Sequence, residues 1–370
     1  MKSRFVGRVT RHFYLRKESI MPDVLSNYDA WINEGGPSAL VLKEYLQPAA
    51  GPDEVIFPPT FAPPEEKRKD PSSYIIDGEG ENTVCLLDSV GSQANRLEAL
   101  FKQEKYRALV PQISVNVEGR IVNLLDLGHR AADALIRSTK LAADLQKAFL
   151  ECDAGNAVSL AKVAPTSLVF GAWDSRSSQV KLPRLVDSTI RAFRVVELSR
   201  AAQYFSALTN DEVDTLLLAD AEKQKKPLSK AGFLDAPSGR TCGGVIVRGD
   251  IVRTTIVNLT ALRYLGAPSD EDCRNLRRYI FSLCLLVVFA PVDLFLRQGC
   301  LLVRTSKPLE RRLIYRDGRT EDWNVEFDAI ESFARVAAEG FKVGENQVVS
   351  FDVKAAKDMV KQAGKAKEDA

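Results

Sequence analysis

Apolar residues recur along this chain at strand and helix spacings that follow one another without a regular rhythm. Ala39–Leu46 (ALVLKEYL) fits a first strand or a short helix, and Val84–Asp88 (VCLLD) reads as a buried strand. The latter leads into a helix from about Ser92 to Lys105. Ile113–Val117 and Ile121–Leu125 predict two strands around a Glu118-Gly119 turn. Helices are expected at roughly 129–137, 141–151 and 156–163, and a strand at Ser167–Gly171. Ile190–Leu198 is β-branched and aromatic in its first half, which favours a strand over a helix. Asn210–Lys223 predicts a helix, and Val245–Val247 with Ile251–Leu259 predicts a hairpin across Arg248-Gly249-Asp250. Asp270–Phe289 predicts another helix, Leu294–Val303 and Leu309–Tyr315 strands, and Phe327–Ala338 a last helix. Short strands mixed with helices, without βαβα alternation and without an internal repeat, predict an α+β fold.

Two irregular stretches interrupt this pattern, a proline-rich one from Pro48 to Pro71 and a glycine-rich one from Gln224 to Gly243. Long loops of this kind are more often functional than idle. The expected organisation is an N-terminal extension (1–24), one elaborated domain (25–340) with insertions near 48–80 and 210–243, and a C-terminal tail (341–370). Met21 is an alternative start, and the Lys/Ala/Glu-rich stretch from Lys354 is expected to be disordered.

Composition narrows the function. With 45% hydrophobic and 27% charged residues, the chain can bury a sizeable core. The apolar run Tyr279–Pro291 is too short to span a bilayer, and residues 1–20 lack the apolar stretch of a secretory signal, so no membrane partner is expected. The six cysteines show no C-x-x-C spacing and there are only two histidines, His12 and His129. No metal and no cofactor are therefore expected, and the thiols fit a reducing cytoplasm. P-loop, dinucleotide and zincin motifs are missing.

The net charge of only +2 makes local concentration of charge informative. Leu168–Arg200 gathers Arg176, Lys181, Arg184, Arg191, Arg194 and Arg200, with serine and threonine hydroxyls between them. Cations neutralise phosphates and short hydroxyls fix register, so this composition suits a ribose-phosphate chain; a solvated charged face is the plainer reading. A second constellation, DSVGSQANRLE (Asp88–Glu98), lies where a strand gives way to a helix. With Ser92 as N-cap, Gln93, Asn95 and Arg96 would extend an anion site at the helix mouth. His129 and Arg130 form a further pair. Trp173 is read as core or as a wedge, and Arg297–Arg319 as another basic stretch whose default reading is a solvated face.

The longer strings carry a family resemblance. DSVGSQANRLE, GHRAADALIRS (Gly128–Ser138), LVFGAWDSR (Leu168–Arg176), K-x-P-R-x-x-x-S-x-I-R-A (Lys181–Ala192), AGFLDAPSGR (Ala231–Arg240), GGVIVRGDIVR (Gly243–Arg253) and L-R-Q-G-C-L-L (Leu296–Leu302) occur in order. Together they resemble the GSU-type RAMP-superfamily protein that forms the backbone of type I-U, or I-G, CRISPR effector complexes. The resemblance covers roughly residues 25–340. It implies an RRM-like (ferredoxin-like) palm with long inserted finger and thumb loops, serving antiviral defence. It also implies a crRNA-binding subunit that polymerises head to tail as a filament and presents the guide to target DNA.

Its further implied partners are the repeat-handle-binding and processing subunit, the large subunit and a recruited helicase-nuclease. The implied RNA-binding residues are Ser92, Gln93, Asn95, Arg96, His129, Arg130, Arg176, Lys181, Arg184 and Arg191. No RNP-like aromatic pair is evident, which speaks against ordinary RRM base recognition. The rival expectation is an RAMP-type endoribonuclease, for which the chain offers only two histidines and a lone loop carboxylate, Asp235.

Overall fold

A computed structural model describes residues 24–62, 73–217, 228 and 231–368. Residues 1–23 of the expected extension, with His12, and parts of both irregular stretches lie outside the described residues.

In chain order, β1 (Ala39–Pro48) is followed by β2 (Val84–Asp88), which turns into α1 (Val90–Glu98). A strand pair (Ile113–Val117 with Arg120–Asn123), helical turns and a helix over Ala142–Asp153 lead to α2 (Pro165–Phe170) and a small hairpin, β3 (Ala172–Trp173) and β4 (Lys181–Leu182). β5 (Val186–Phe193), β6 (Val195–Tyr204), β7 (Ala236–Val247) and β8 (Ile251–Asn258) come next. α3 (Asp270–Phe289), β9 (Cys300–Arg304), β10 (Glu310–Ile314) and α4 (Phe327–Phe341) complete the frame.

The main sheet is antiparallel. β8 lies between β1 and β5, β2 flanks β5, and the far side of β1 is shared by β10 over Ala39–Lys43 and β9 over Leu46–Pro48. Taking β1, β5, β8 and β10 as first to fourth, their spatial order is 4-1-3-2, with α1 between the first two and α3 between the last two.

Burial alternates along β1. Leu40, Leu42, Glu44 and Leu46 face inward, while Val41, Lys43, Tyr45 and Gln47 lie on the more open face. On the covered side α3 is buried all round from Tyr279 to Val288 and stacks with α1 and α4 into the larger core. A second, smaller core forms around Leu46, Ile56, Leu87, Ile190 and Ile251.

Three sequence expectations change. Val245–Val247 and Ile251–Leu259 are not the two arms of a hairpin. They are successive parts of one path, β7 pairing with β6 and β8 with β1 and β5. Arg248 N–H donates to Arg194 O at 2.8 Å and Gly249 N–H to Phe193 O at 3.0 Å, so Arg248–Asp250 is the bend where the β6–β7 arm leaves the sheet. Ser167–Gly171 is helical rather than a strand. All six residues of α2 are buried, and a short apolar run buried on every side has no period to read. Among the described residues beyond 340, Gln347–Ser350 pairs in parallel with Ile113–Asn116, and helix Val353–Glu368 follows.

The proline-rich stretch is also less peripheral than expected. Ile56 is buried and exchanges backbone hydrogen bonds with Val245 at 3.0 and 2.8 Å.

Candidate nucleic-acid interface

The helix mouth is capped by Ser89, not Ser92. The Ser89 side chain accepts from Ser92 N–H at 3.3 Å, because the strand ends one residue earlier, at Asp88. Gly91 and Asn95 are exposed, and Ser92 is partly so. Gln93 is buried: its Nε2 donates to Asp88 Oδ2 at 2.6 Å, and its Oε1 accepts from Ser188 Oγ at 3.1 Å. Arg96 points into the fold, donating to Asp88 at 3.0 Å, to Phe295 O at 3.1 Å and to Leu296 O at 2.5 Å. Asp88 also faces Arg297 at 3.6 Å.

These groups belong to a polar belt that crosses the covered face of the sheet between the two cores. Across it run the Glu44–Arg253 ion pair and the hydroxyls of Thr255 and Ser188, 2.8 Å apart. Arg304 approaches Glu44 at 3.6 Å from the rim. The belt is readable in part from the sequence: Glu44, Arg253 and Ser188 occupy the inward phase of their strands, and Asp88 joins them opposite Ile190 through a register shift at the end of β2. Charges out of water need partners, and each of these has one.

A second anchor ties α1 to the β3–β4 hairpin. Arg130 holds a positive φ of 52° and is buried, donating to Glu98 at 2.8 Å and to Gly171 O at 3.3 Å. Burial pushes the Glu98 carboxyl up and the Arg130 guanidinium down, each opposed by the other's charge. Arg130 is therefore committed inside, while its neighbour His129 is exposed.

Gly171, at φ 77°, is the pivot of the hairpin. A Cβ there would stand 2.9 Å from Arg184 Cγ. Arg184 crosses outside it and donates to Phe170 O at 3.2 Å.

The hairpin is fixed by a buried carboxylate. Asp174 accepts from Arg137 at 3.1 Å and from the amide and hydroxyl of Ser178 at 3.0 and 2.8 Å. Between partly buried Ala172 and buried Asp174, strand alternation turns Trp173 outward, 58% exposed and directly opposite Lys181. Arg176, Lys181 and Arg184 are all exposed, and among the described residues none has a carboxylate within ion-pair distance.

Of the ten expected contacts, the structure brings Asn95, His129, Arg176, Lys181 and Arg184 to the surface and leaves Ser92 partly exposed. Gln93 and Arg130 are internal, and Arg96, partly exposed, is tied down to Asp88 and two backbone carbonyls. Arg191 is exposed on the opposite face of the sheet, since Ser188, Ile190 and Ala192 take the covered phase of β5; its Nη1 donates to Thr189 at 2.8 Å. Asp88 and Glu98, which hold the inward arginines, went unassigned by sequence reasoning. Glu98 carried a signal, as an acid on the inward face of a helix; Asp88 carried none, because it reaches the covered face only through a register shift in strand pairing.

Residues 40–197 match the model of the family described as CRISPR-associated protein GSU0053, a stretch running from β1 through the hairpin to the base of the arm. Over that stretch the chain is similar to that CRISPR-associated family. No curated protein matches the chain. Among the described residues no helix is long and apolar enough to cross a membrane, and no group of three His, Cys, Asp or Glu side chains could hold a metal ion.

Proposed function

We propose that this protein is a crRNA-binding backbone subunit of a type I-U/I-G CRISPR effector, gripping its guide through phosphates without regard to sequence. The observation that carries this reading is the cluster of Arg176, Lys181 and Arg184, exposed and without carboxylate partners on a hairpin held by a buried ion pair. A subunit repeated along any spacer needs such phosphate grips, not base-edge donors. The open first turn of α1, with Gly91, Ser92 and Asn95, adds backbone and side-chain donors.

The 4-1-3-2 strand order with a helix after the first and third strands supports an RRM-like palm. The β6–β7 arm is the thumb of this reading, extending from the palm toward a neighbouring protomer in a head-to-tail filament. Target DNA and the companion subunits would meet the assembled guide, in the cytoplasm.

The subunit binds and does not cut. Asp235, the lone carboxylate of the nuclease alternative, accepts from Ser206 N–H at 2.7 Å and so has a structural task.

The test is binding of the full chain to crRNA-length single-stranded RNA across a salt series. Each neutralised phosphate contributes about 0.7 to the slope of log affinity against log salt. Arg184→Ala and Lys181→Ala should each lower that slope by about that amount, equally for unrelated sequences. Unchanged slopes in both would withdraw the proposal. Co-expression with a repeat array and companion subunits should yield protein carrying RNA of discrete length.

A further inference from the structure

Trp173 is the one aromatic of the basic hairpin, and its exposure is imposed by the fold. The flanking residues are tied down, Ala172 by pairing with Leu182 and Asp174 by Arg137 and Ser178, so the indole has only the outward side of the strand. Lys181 Nζ lies 6.0 Å from the ring centroid, at the outer limit of a cation–π contact, and does not cap the ring. The other two tryptophans are built differently. Trp31 and Trp323 pack edge to face at 4.7 Å within a cluster that includes Tyr28, Phe281 and Phe289.

We infer that Trp173 is a stacking platform for one base of the single strand whose phosphates the Arg176–Lys181–Arg184 cluster holds. The inference rests on the proposed RNA-binding reading and adds to it a contact with a base face. An aromatic ring set among cations that lack carboxylate partners matches the chemistry of single-strand grooves, where stacking is tolerant of sequence because every base has a π-face. A neighbouring protein surface would leave those cations without counter-charges unless it brought acids of its own. A polyanion brings its charge at the spacing of its phosphates.

Trp173 is also its own reporter, since Trp31 and Trp323 sit in the aromatic cluster. The experiment follows tryptophan fluorescence and affinity of the full chain with oligoadenylate, oligouridylate, an abasic ribose-phosphate strand of equal length and inorganic polyphosphate. Both base-bearing strands should quench, oligoadenylate more strongly, and the abasic strand and polyphosphate should not. Trp173→Ala should weaken oligoadenylate binding about 5- to 100-fold. Trp173→Phe should keep affinity within a few-fold while abolishing the quench, which shows that the fold is intact.

RNA binding that depends on Arg184, with no base-dependent quench and unchanged affinity in Trp173→Ala, would overturn the inference and leave the phosphate-binding reading standing. A Trp173 signal that varies with protein concentration alone, and not with base-bearing strands, would give the platform to a second copy of the chain and overturn it likewise. No RNA binding by the wild-type chain under any salt would remove both readings.

Discussion

Arginines around Asp88 and arginines on the β3–β4 hairpin are written in the same alphabet and do opposite things. Arg96, Arg297 and Arg253 turn inward, each beside a carboxylate, and divide the covered face of the sheet into two cores. Arg176 and Arg184 turn outward with no carboxylate near them among the described residues. The difference is set by phase. A charged residue in the inward phase of a strand brings its counter-ion with it, whereas Arg176, on the turn held by buried Asp174, meets no carboxylate and Arg184 leans only on the Phe170 carbonyl. Local density of cations in the sequence therefore overstates the charge available to a ligand.

The largest effect should come from breaking the inward set. Asp88→Ala leaves Arg96 and Arg297 without their carboxylate and Gln93 without its acceptor, and removing one partner of a buried pair costs about 3–5 kcal/mol. A denaturant midpoint measures this, and a loss under about 1 kcal/mol would mean that water reaches the belt.

Thiols report on the same region. Burial pushes Cys85 up to about 12 and Cys300 up to about 11. Because these values are raised on folding, their contribution to stability is full below about 9 and is lost as pH rises through 11 to 12. At neutral pH both should resist alkylation in the wild type and react in Asp88→Ala.

Next in size is the pivot. Gly171→Ala forces a side chain onto a backbone at φ 77° and ψ 154° and into contact with Arg184, for about 1–3 kcal/mol. Stability and RNA affinity should fall together, because the pivot carries both Arg130's acceptor and the path of Arg184. Lost stability with full affinity would uncouple the hairpin's geometry from binding.

Sequence periodicity recovers most of the frame: β2 and α3 lie where the pattern put them, and the strand predicted at Ile190–Leu198 is the junction of β5 and β6. It fails where information is non-local. The Val245–Leu259 segment looks like a hairpin because Gly249 resembles a turn, yet its partners are β1, β5 and β6, more than forty residues distant in sequence. The site is legible as composition and not as geometry. The motif DSVGSQANRLE offers Ser92, Gln93, Asn95 and Arg96 as equals, but about half a helical turn separates surface Asn95 from buried Gln93.

Smaller effects belong to the outward set. Arg176→Ala, Lys181→Ala and Arg184→Ala should each change stability by under about 0.5 kcal/mol, since none is paired with a carboxylate. Each should still reduce the salt dependence of RNA binding. A stability loss of the size expected for Asp88→Ala would make them structural and erase the contrast between the two regions.

The smallest effect sharpens the path of the strand. Arg191 is as exposed and as free of carboxylate partners as Arg184, and belongs to the same basic segment, but strand phase puts it on the other face of the sheet beside Thr189. If RNA follows the hairpin and the α1 mouth, Arg191→Ala leaves both affinity and salt slope at wild-type values, and an Arg184→Ala/Arg191→Ala double variant behaves as Arg184→Ala alone. A slope lowered by about 0.7 in Arg191→Ala would mean that the strand, or a second one such as target DNA, crosses the open face past Lys43 and Tyr45. The charge that the sequence displays as one run would then serve two grooves back to back.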